Sequence, residues 1–466
     1  MREWIIAALG LTVCAWQVAA QPAGAGAEDE RRAAERDLFR KVVEIPTVAG
    51  RGEMPRLVAL LAAEFRRAGF RDITVKTHDG TQSMIVRWPA MRPSGRKPIL
   101  LLAHMDVVEA NRADWADDPF RFREANGYYW GRGANDNKAG VVAIVASLAR
   151  LRASGFEPRR DIVVLFTGDE ETKQHGARRA ATEWRALIDA EFALNSDSGG
   201  GSLYKDGRVE GFYVQVAEKT YADFRLAATN RGGHSSAPRA DNAIYQLAGA
   251  LKSLEEYRFT PMLNEASRAY FESVAARDGG AYGAVVRAWL DDPTNLEKAD
   301  AVELNEPGYT RTRCVATQVA AGHAPNALPQ RAEAIVNCRI FPGVKTDEVR
   351  RELQAIAGKE IAIDLVEGGD WSDASPLRDD VVTAYRNAIA QRFPGVEIVP
   401  SMSAGASDAV FMRAAGIPTY GVGGLWGYVG EPLGAHGLDE RIGIEAFHDQ
   451  IDIWEAMLRE LGSDPG

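Results

Sequence analysis

The sequence predicts an α/β layer protein with a compact α+β unit inserted in it. Three observations carry that reading. Unbroken apolar runs, Ile99-Leu100-Leu101-Leu102-Ala103 and Ile162-Val163-Val164-Leu165-Phe166, read as strands covered on both faces, and an Ala/Val-rich helical stretch separates them. From about Lys219 the pattern changes to paired strands with few helices. After about residue 371 the strand–helix alternation returns. At roughly 150 residues per domain, 466 residues suit two or three domains.

Each element follows from its spacing. Residues 29–45 and 54–69 carry apolar residues at helical intervals (Leu57, Leu60, Leu61, Phe65), and Gly69 is a stop. Strands are expected at 83–88, 99–103 and 161–167, with a helix at 139–154. In the insert, strands are expected at 224–229, 314–319, 332–341 and 361–366, and helices at 243–256 and 346–357. Residues 257–312 are polar and partly helical, and their spacing assigns them to neither unit. A helix at 381–392, strands at 396–399 and 417–422, and a terminal helix complete the chain. The expected organisation is a leader over 1–20, a first layer segment over 21–218, the insert over 219–370 and a second layer segment over 371–466.

The leader reads as a signal peptide. Arg2 precedes a mostly apolar run from Trp4 to Trp16, and Val18-Ala19-Ala20 supplies small residues for cleavage. The run falls short of the ~20 residues that span a bilayer. A secreted or periplasmic protein without a membrane span is expected. Lipid anchoring at Cys14 ranks second, because Val13 fits an acylation site poorly. The two other cysteines, Cys314 and Cys338, suit either a disulfide or two buried small side chains.

A net charge of −10 argues against nucleic acid and anionic membranes as partners. There are seven histidines, few enough to weigh singly. His78, His175 and His448 read as surface residues, and His323 sits beside Pro325-Asn326. The other three fall in glycine- or acid-rich loops. His104-Met105-Asp106 follows the first buried strand, where open α/β sheets bind ligands. Gly131-Arg132-Gly133-Ala134-Asn135-Asp136 opens a helix, so Asp136 is either a ligand or an N-cap. Gly168-Asp169-Glu170-Glu171 follows the second buried strand, and Asn195-Ser196-Asp197 follows another apolar stretch. Gly434-Ala435-His436-Gly437-Leu438-Asp439-Glu440 lies near the C-terminus, and Gly232-Gly233-His234 opens the insert. Imidazole with carboxylate suits zinc, with cobalt or manganese as substitutes. Five such ligands sharing one carboxylate would hold two ions ~3.5–4 Å apart.

The order and context of these motifs resemble the zinc metallopeptidases of the M20 type, the group of glutamate carboxypeptidase, aminoacylase-1 and succinyl-diaminopimelate desuccinylase. The resemblance runs from about 35 to 460 and rests on HMDVV, GRGANDNKAG, GDEE, NSDSGG, GGHSSAP, NALP, NCRIFPG and AHGLDE. It implies a zinc-exopeptidase-like three-layer catalytic domain with an inserted lid or dimerisation domain, and two Zn2+ ions. His104 and His436 would bind one ion each and Asp136 both. Glu171 and Asp197 would complete the two sites. Glu170 would be the general base, Asp106 would orient His104, and His234 would stabilise the oxyanion. Asn326 and Arg339 would hold the substrate's carboxylate or nearby oxygens. Asn137 departs from the second acid many relatives carry. The insert is longer than the usual dimerisation lid, which sets a monomer against a homodimer formed through it. The implied activity is hydrolysis of an amide next to a free carboxylate, in a peptide or N-acyl amino acid. The alternative is a metal-binding relative that has lost catalysis and serves as a binding protein.

Overall fold

The computed structural model describes residues 25–464; the expected signal peptide and Cys14 lie outside them. Strand Ile99–His104 is buried along its whole length. Its side chains alternate between two cores, because successive residues of a strand point to opposite faces. Ile99, Leu101 and Ala103 face one core, together with Ile162, Val164 and Phe166. Leu100 and Leu102 face another, together with Val163 and Leu165. The first core is completed by Leu57, Leu61 and Phe65 from helix Met54–Arg67 and by helices Lys138–Ala153 and Ile444–Gly462. The second is completed by the short helices His175–Ala181 and Ala409–Ala414. The result is three layers, and each large aliphatic side chain buried contributes about 1.5–3 kcal/mol.

Among the described residues the main sheet has ten strands. Ile99–His104 pairs in parallel with Ile162–Thr167 and with Phe192–Asn195. Thr419–Gly421 continues the parallel set, and Thr81–Trp88 and Asp72–His78 close one edge antiparallel. Three parallel strands therefore end side by side at residues 104, 167 and 195, and their following loops share one rim.

Within 219–370 a four-stranded antiparallel sheet runs in the order Arg313–Ala321, Arg331–Ile340, Thr220–Thr229, Ile361–Gly368. Helices Ala243–Glu256 and Thr346–Ala357 cover one face through Leu247, Leu254, Val349 and Leu353. Asn242 caps the first of them by accepting from the Ile244 N–H. Cys314 and Cys338 are directly opposite on neighbouring strands and form a disulfide, which decides between the two sequence alternatives.

The stretch that the sequence left unassigned forms helices Glu265–Arg277, Ala281–Leu290 and Leu296–Glu303 around Phe271, Trp289 and Val302. It turns back onto the main sheet: Ser273 Oγ donates to Glu397 Oε2 at 3.2 Å, and Ala266 joins the main core. The charged residues of Glu265–Arg277 and Leu296–Glu303 hid this, although Ala281–Leu290 is mostly apolar.

Two histidines correct the expectation of surface positions. His78 is buried with Nε2 2.8 Å from Ser83 Oγ. His448 is buried with Nδ1 3.0 Å from Glu35 Oε2, and Arg150 donates to the same carboxylate. Both are core histidines satisfied by a neighbour, which apolar periodicity cannot reveal.

Candidate metal centre

His104 ends the central strand and is buried. Its Nδ1 lies 3.0 Å from the Asp106 carbonyl oxygen, so Nδ1–H donates there and Nε2 is left to face the rim. The Asp106 carboxylate stands further off, 3.6 Å from Nδ1. It accepts instead from the backbone N–H groups of Glu170 and Glu171, at 3.1 and 3.0 Å. Asp106 thus holds the imidazole through its carbonyl and the acidic loop through its carboxylate.

Asp136 lies on the loop before helix Lys138–Ala153. The helix starts from Asn137 without a side-chain cap, so Asp136 does not act as an N-cap. One of its oxygens is 2.9 Å from His104 Nε2 and the other 3.1 Å from His436 Nε2. Asp197 Oδ1 is 3.3 Å from His104 Nε2, and Glu171 Oε2 is 2.8 Å from His436 Nε2. The five side chains form two halves, His104 with Asp197 and His436 with Glu171, joined by Asp136.

Electrostatics follow from this crowding. Burial opposes ionisation of Asp136, but the hydrogen bonds from His104 and His436 outweigh it and hold its carboxyl well below the usual range. Burial raises Asp197 to about 6 against the pull of His104. Burial also pushes Glu170 well above the usual carboxylate range, with His104 opposing and Asp197 adding to the rise. Hydrogen bonds to Asp136 and Glu171 raise His436 to about 10.

The donor set fits divalent metal. Nitrogen and oxygen atoms of His104, Asp136 and Glu171 lie within 4.8 Å of one another, as do those of His104, Glu170 and Asp197. Glu171 Oε1 is buried and has no hydrogen-bond partner among the described residues, an arrangement that is costly unless a cation meets it. Two imidazoles and two carboxylates around the shared Asp136 carboxylate are donors suited to divalent metal.

A cavity of about 710 Å3 opens over these loops. Glu170, Glu171 and His436 line one side; Lys219, Tyr221 and Arg339 line the other. Glu170 Oε1 accepts from Gln174 at 2.9 Å. Arg339 stands opposite Tyr221 in the strand register, with its guanidinium 4.8 Å from the ring centre. Of the residues singled out in the sequence, Glu170, Glu171, Arg339 and His436 line this cavity; His104, Asp106, Asp136 and Asp197 lie behind them through the contacts above, and His234 and Asn326 have no contact with the cluster. Both are exposed, on and beside the two-stranded ladder that pairs His234 with Ala327, and His234 Nδ1 accepts from the Ser236 N–H at 3.2 Å.

Three residues that the sequence did not single out belong to the surroundings. Glu440 is fully buried and accepts from the backbone N–H groups of Gly133, Asn135 and Asp136 at 2.9, 2.8 and 2.9 Å. It also pairs with Arg132 at 2.6 Å. Its only signal was its place at the end of AHGLDE. Asp408 is buried, accepts from Thr167 Oγ1 and has Oδ1 without a partner among the described residues; burial pushes its carboxyl well up. Lys219 is fully buried and donates to the Arg311 carbonyl. Burial, with Arg313, Arg339 and Arg311 nearby, lowers its amine to about 7. Nothing in the local sequence marks Asp408 or Lys219.

Glycines shape the rim. A Cβ on Gly140 would come within 2.1 Å of Asn137 Oδ1 and 2.3 Å of Ser196 Oγ, so only glycine lets the helix approach the Asp197 loop. Gly133 has φ +83°, and a Cβ there would strike Val107 and Lys138.

The chain is similar to known proteins in sequence and in fold. The family model described as Peptidase family M20/M25/M40 matches residues 100–460. The N-fatty-acyl-amino acid synthase/hydrolase PM20D1 of Homo sapiens is 28% identical over 460 residues, covering 93% of this chain and 89% of that protein. Aminoacylase-1 of Sus scrofa is 26% identical over 437 residues, covering 92% and 95%. Among solved structures, the M20 metallo-carboxypeptidase Sso-CP2 of Sulfolobus solfataricus matches with TM-score 0.69 at 18% identity, over 92% of this chain and 99% of that one. The dipeptidase Dug1p of Saccharomyces cerevisiae matches with TM-score 0.66 at 16% identity, over 94% and 98%.

Proposed function

The chain belongs to peptidase family M20/M25/M40, a family of metal-dependent hydrolases, and from that premise we propose that it is an exported dizinc amidohydrolase acting next to a free carboxylate. The substrate class is an N-acyl amino acid or a short peptide. The observation that carries this reading is the Asp136 carboxylate, which spans His104 and His436 beneath a cavity holding both Glu170 and Arg339.

His104 and Asp197 would hold one ion, His436 and Glu171 the other, and Asp136 both. The chemistry that two zinc ions supply when bound is acidification of water and polarisation of the scissile carbonyl. Cobalt or manganese would substitute. Glu170 would take the proton of the attacking water at its carboxylate and return it to the leaving amine. Burial has already raised its proton affinity, as a general base working near neutral pH needs. Asp106 would keep Glu170 and His104 in register through its two sets of contacts. Arg339, free of any ion pair among the described residues and stacked on Tyr221, would take the substrate carboxylate as a two-pronged donor.

The insert, residues 219–370, would act as a lid with hinges near 217–220 and 368–372. His234 and Asn326 are exposed and outside the cavity of their own chain, which supports a homodimer through the insert. In it they would serve the oxyanion and the substrate oxygens at the site of a second copy. Signal-peptide cleavage after about residue 20 would deliver the protein to the periplasm or beyond.

The test is a substrate panel of N-acyl amino acids and dipeptides, each with a free or an amidated C-terminus. Hydrolysis of the free acids is expected, lost with chelator and restored by zinc. Glu170→Gln should lower turnover ~100-fold or more while metal content stays the same. Unchanged turnover in that variant, or no cleavage of any member of the zinc-loaded panel, overturns the reading.

A further inference from the structure

A second cavity, of about 880 Å3, lies between the helices of 257–312 and the strands Gly200–Leu203 and Val209–Glu218. It shares no lining residue with the cavity over the metal ligands. Its walls are tyrosine-rich. Tyr213 comes from the main sheet, Tyr270 and Tyr282 from two helices, and Tyr309 from the loop that leads back to the insert sheet. The Tyr270 and Tyr309 rings stack with centroids 5.5 Å apart, and Tyr213 lies 6.3 Å from Tyr270.

The charges at this wall do not balance. Glu210, Asp278 and Glu306 face Arg208 and Arg277. Arg208 is already held by Asp206 at 2.8 Å and stacks on Tyr204 at 4.6 Å, so it shows the cation-on-tyrosine arrangement at the cavity mouth. Arg277 spends a guanidinium N–H on the Glu210 carbonyl at 2.9 Å. Glu306 is part-buried, accepts from Tyr270 Oη at 2.9 Å, and has no ion pair with any described residue. Tyr282 Oη is buried without a hydrogen-bond partner among the described residues.

An anion would meet three carboxylates here against Arg277, the one lining guanidinium without an ion pair among the described residues. A purely apolar guest would leave Glu306 Oε2 and the Tyr282 hydroxyl desolvated and unpaired. A cation meets the negative faces of the rings and a carboxylate that Arg277 influences from the same wall without forming an ion pair with it. We propose that this cavity binds an organic cation, an ammonium or guanidinium group seated between the tyrosine rings and Glu306. The group is carried either by a free amine or by a basic side chain of a peptide. The proposal does not depend on the hydrolase reading, because it uses other residues and another cavity.

Calorimetric titration of the full chain at matched ionic strength tests it. The probes are tetramethylammonium, ethylguanidinium, an arginine tripeptide blocked at both ends, and tert-butanol as the uncharged analogue of the first. Saturable binding is expected for at least one cationic probe and not for tert-butanol. Binding of the small cations points to a free amine; binding of the blocked peptide alone points to a side chain. Glu306→Gln, nearly isosteric, should weaken the cation ~10–100-fold. Tyr309→Leu should weaken it ~3–30-fold, and Tyr270→Phe, which keeps the ring, should retain saturable binding. Absence of saturable binding for every cation overturns the proposal. Equal binding of tert-butanol, or unchanged affinity in a folded Glu306→Gln variant, does the same.

Discussion

Glu440 accepts a hydrogen bond from the backbone N–H of Asp136 at 2.9 Å, which ties the loop of the shared carboxylate to the loop that carries His436. The same carboxylate takes the N–H groups of Gly133 and Asn135 and pairs with buried Arg132. A single buried acid therefore sets the separation of the two halves of the proposed centre.

Glu440→Ala leaves three backbone donors and a buried guanidinium unpaired. The expected cost is about 3–5 kcal/mol, read by denaturant unfolding of the metal-free chain. Zinc affinity should also fall ~10–100-fold, as when a residue supporting metal ligands is removed. Unfolding and zinc titration both matching the parent would rule this role out.

Protons and metal compete at His436. Its pKa of about 10 means the metal-free protein carries a proton there at neutral pH, while a metal ligand must be neutral. Zinc binding at pH 7–8 should release about one proton from this group and a further one from His104, where burial is outweighed by Asp197, Asp106 and Asp136, which raise the imidazole well above its usual range, so affinity should rise with pH. The dependence of binding heat on buffer ionisation enthalpy measures it. In the metal-free chain the pairing of His436 contributes stability that is full below its unfolded pKa of ~6.5 and lost as pH rises through about 10. Asp136, held low, contributes stability that is full above ~3.9 and lost as pH falls through its folded value.

Arg339→Lys keeps the charge and loses the planar fork that stacks on Tyr221. KM for a free-acid substrate should rise ~10–100-fold with kcat changed far less. The amidated substrate should be nearly indifferent to the change. An equal loss on both substrates would show that Arg339 does not read the carboxylate.

Reduction of Cys314–Cys338 releases a loop of 24 residues' separation between adjacent strands. The insert should lose about 2–4 kcal/mol of stability. Denaturant unfolding with and without reductant measures this, and Cys338→Ser should reproduce the reduced curve.

Leu101→Ala removes a fully buried side chain from the central strand, and a loss of about 2–5 kcal/mol is expected in the same experiment.

The layered fold was legible because its signal is local. An unbroken apolar run such as Ile99–Ala103 has few ways to be buried except inside a parallel sheet. The loop motifs at 104–106, 168–171 and 195–197 were legible for a related reason: each follows a strand, and parallel strands in one sheet end at one rim. Residues 257–312 were not legible. Charged residues interrupt the apolar positions of Glu265–Arg277 and Leu296–Glu303, and whether the stretch packs on the insert or on the main sheet depends on partners distant in the chain, such as Glu397. His78 and His448 misled because a lone imidazole reads alike whether it meets water or Ser83 and Glu35.

The sequence by itself determined the two-part architecture, the positions of the five imidazole and carboxylate candidates, and Glu170 beside Glu171. The architecture follows from periodicity; the candidates follow from the placement of reactive side chains after strands together with the resemblance of their motifs to the M20 type. Only the tertiary structure decided that Asp136 bridges two histidines rather than capping its helix, and that Arg339 enters the cavity while His234 and Asn326 do not. It alone brought Glu440 beneath the Asp136 loop. Local pattern fixes which face a residue takes on its own element. Which groups then meet across loops is set by packing between elements far apart in the chain, and no short stretch of sequence carries that information.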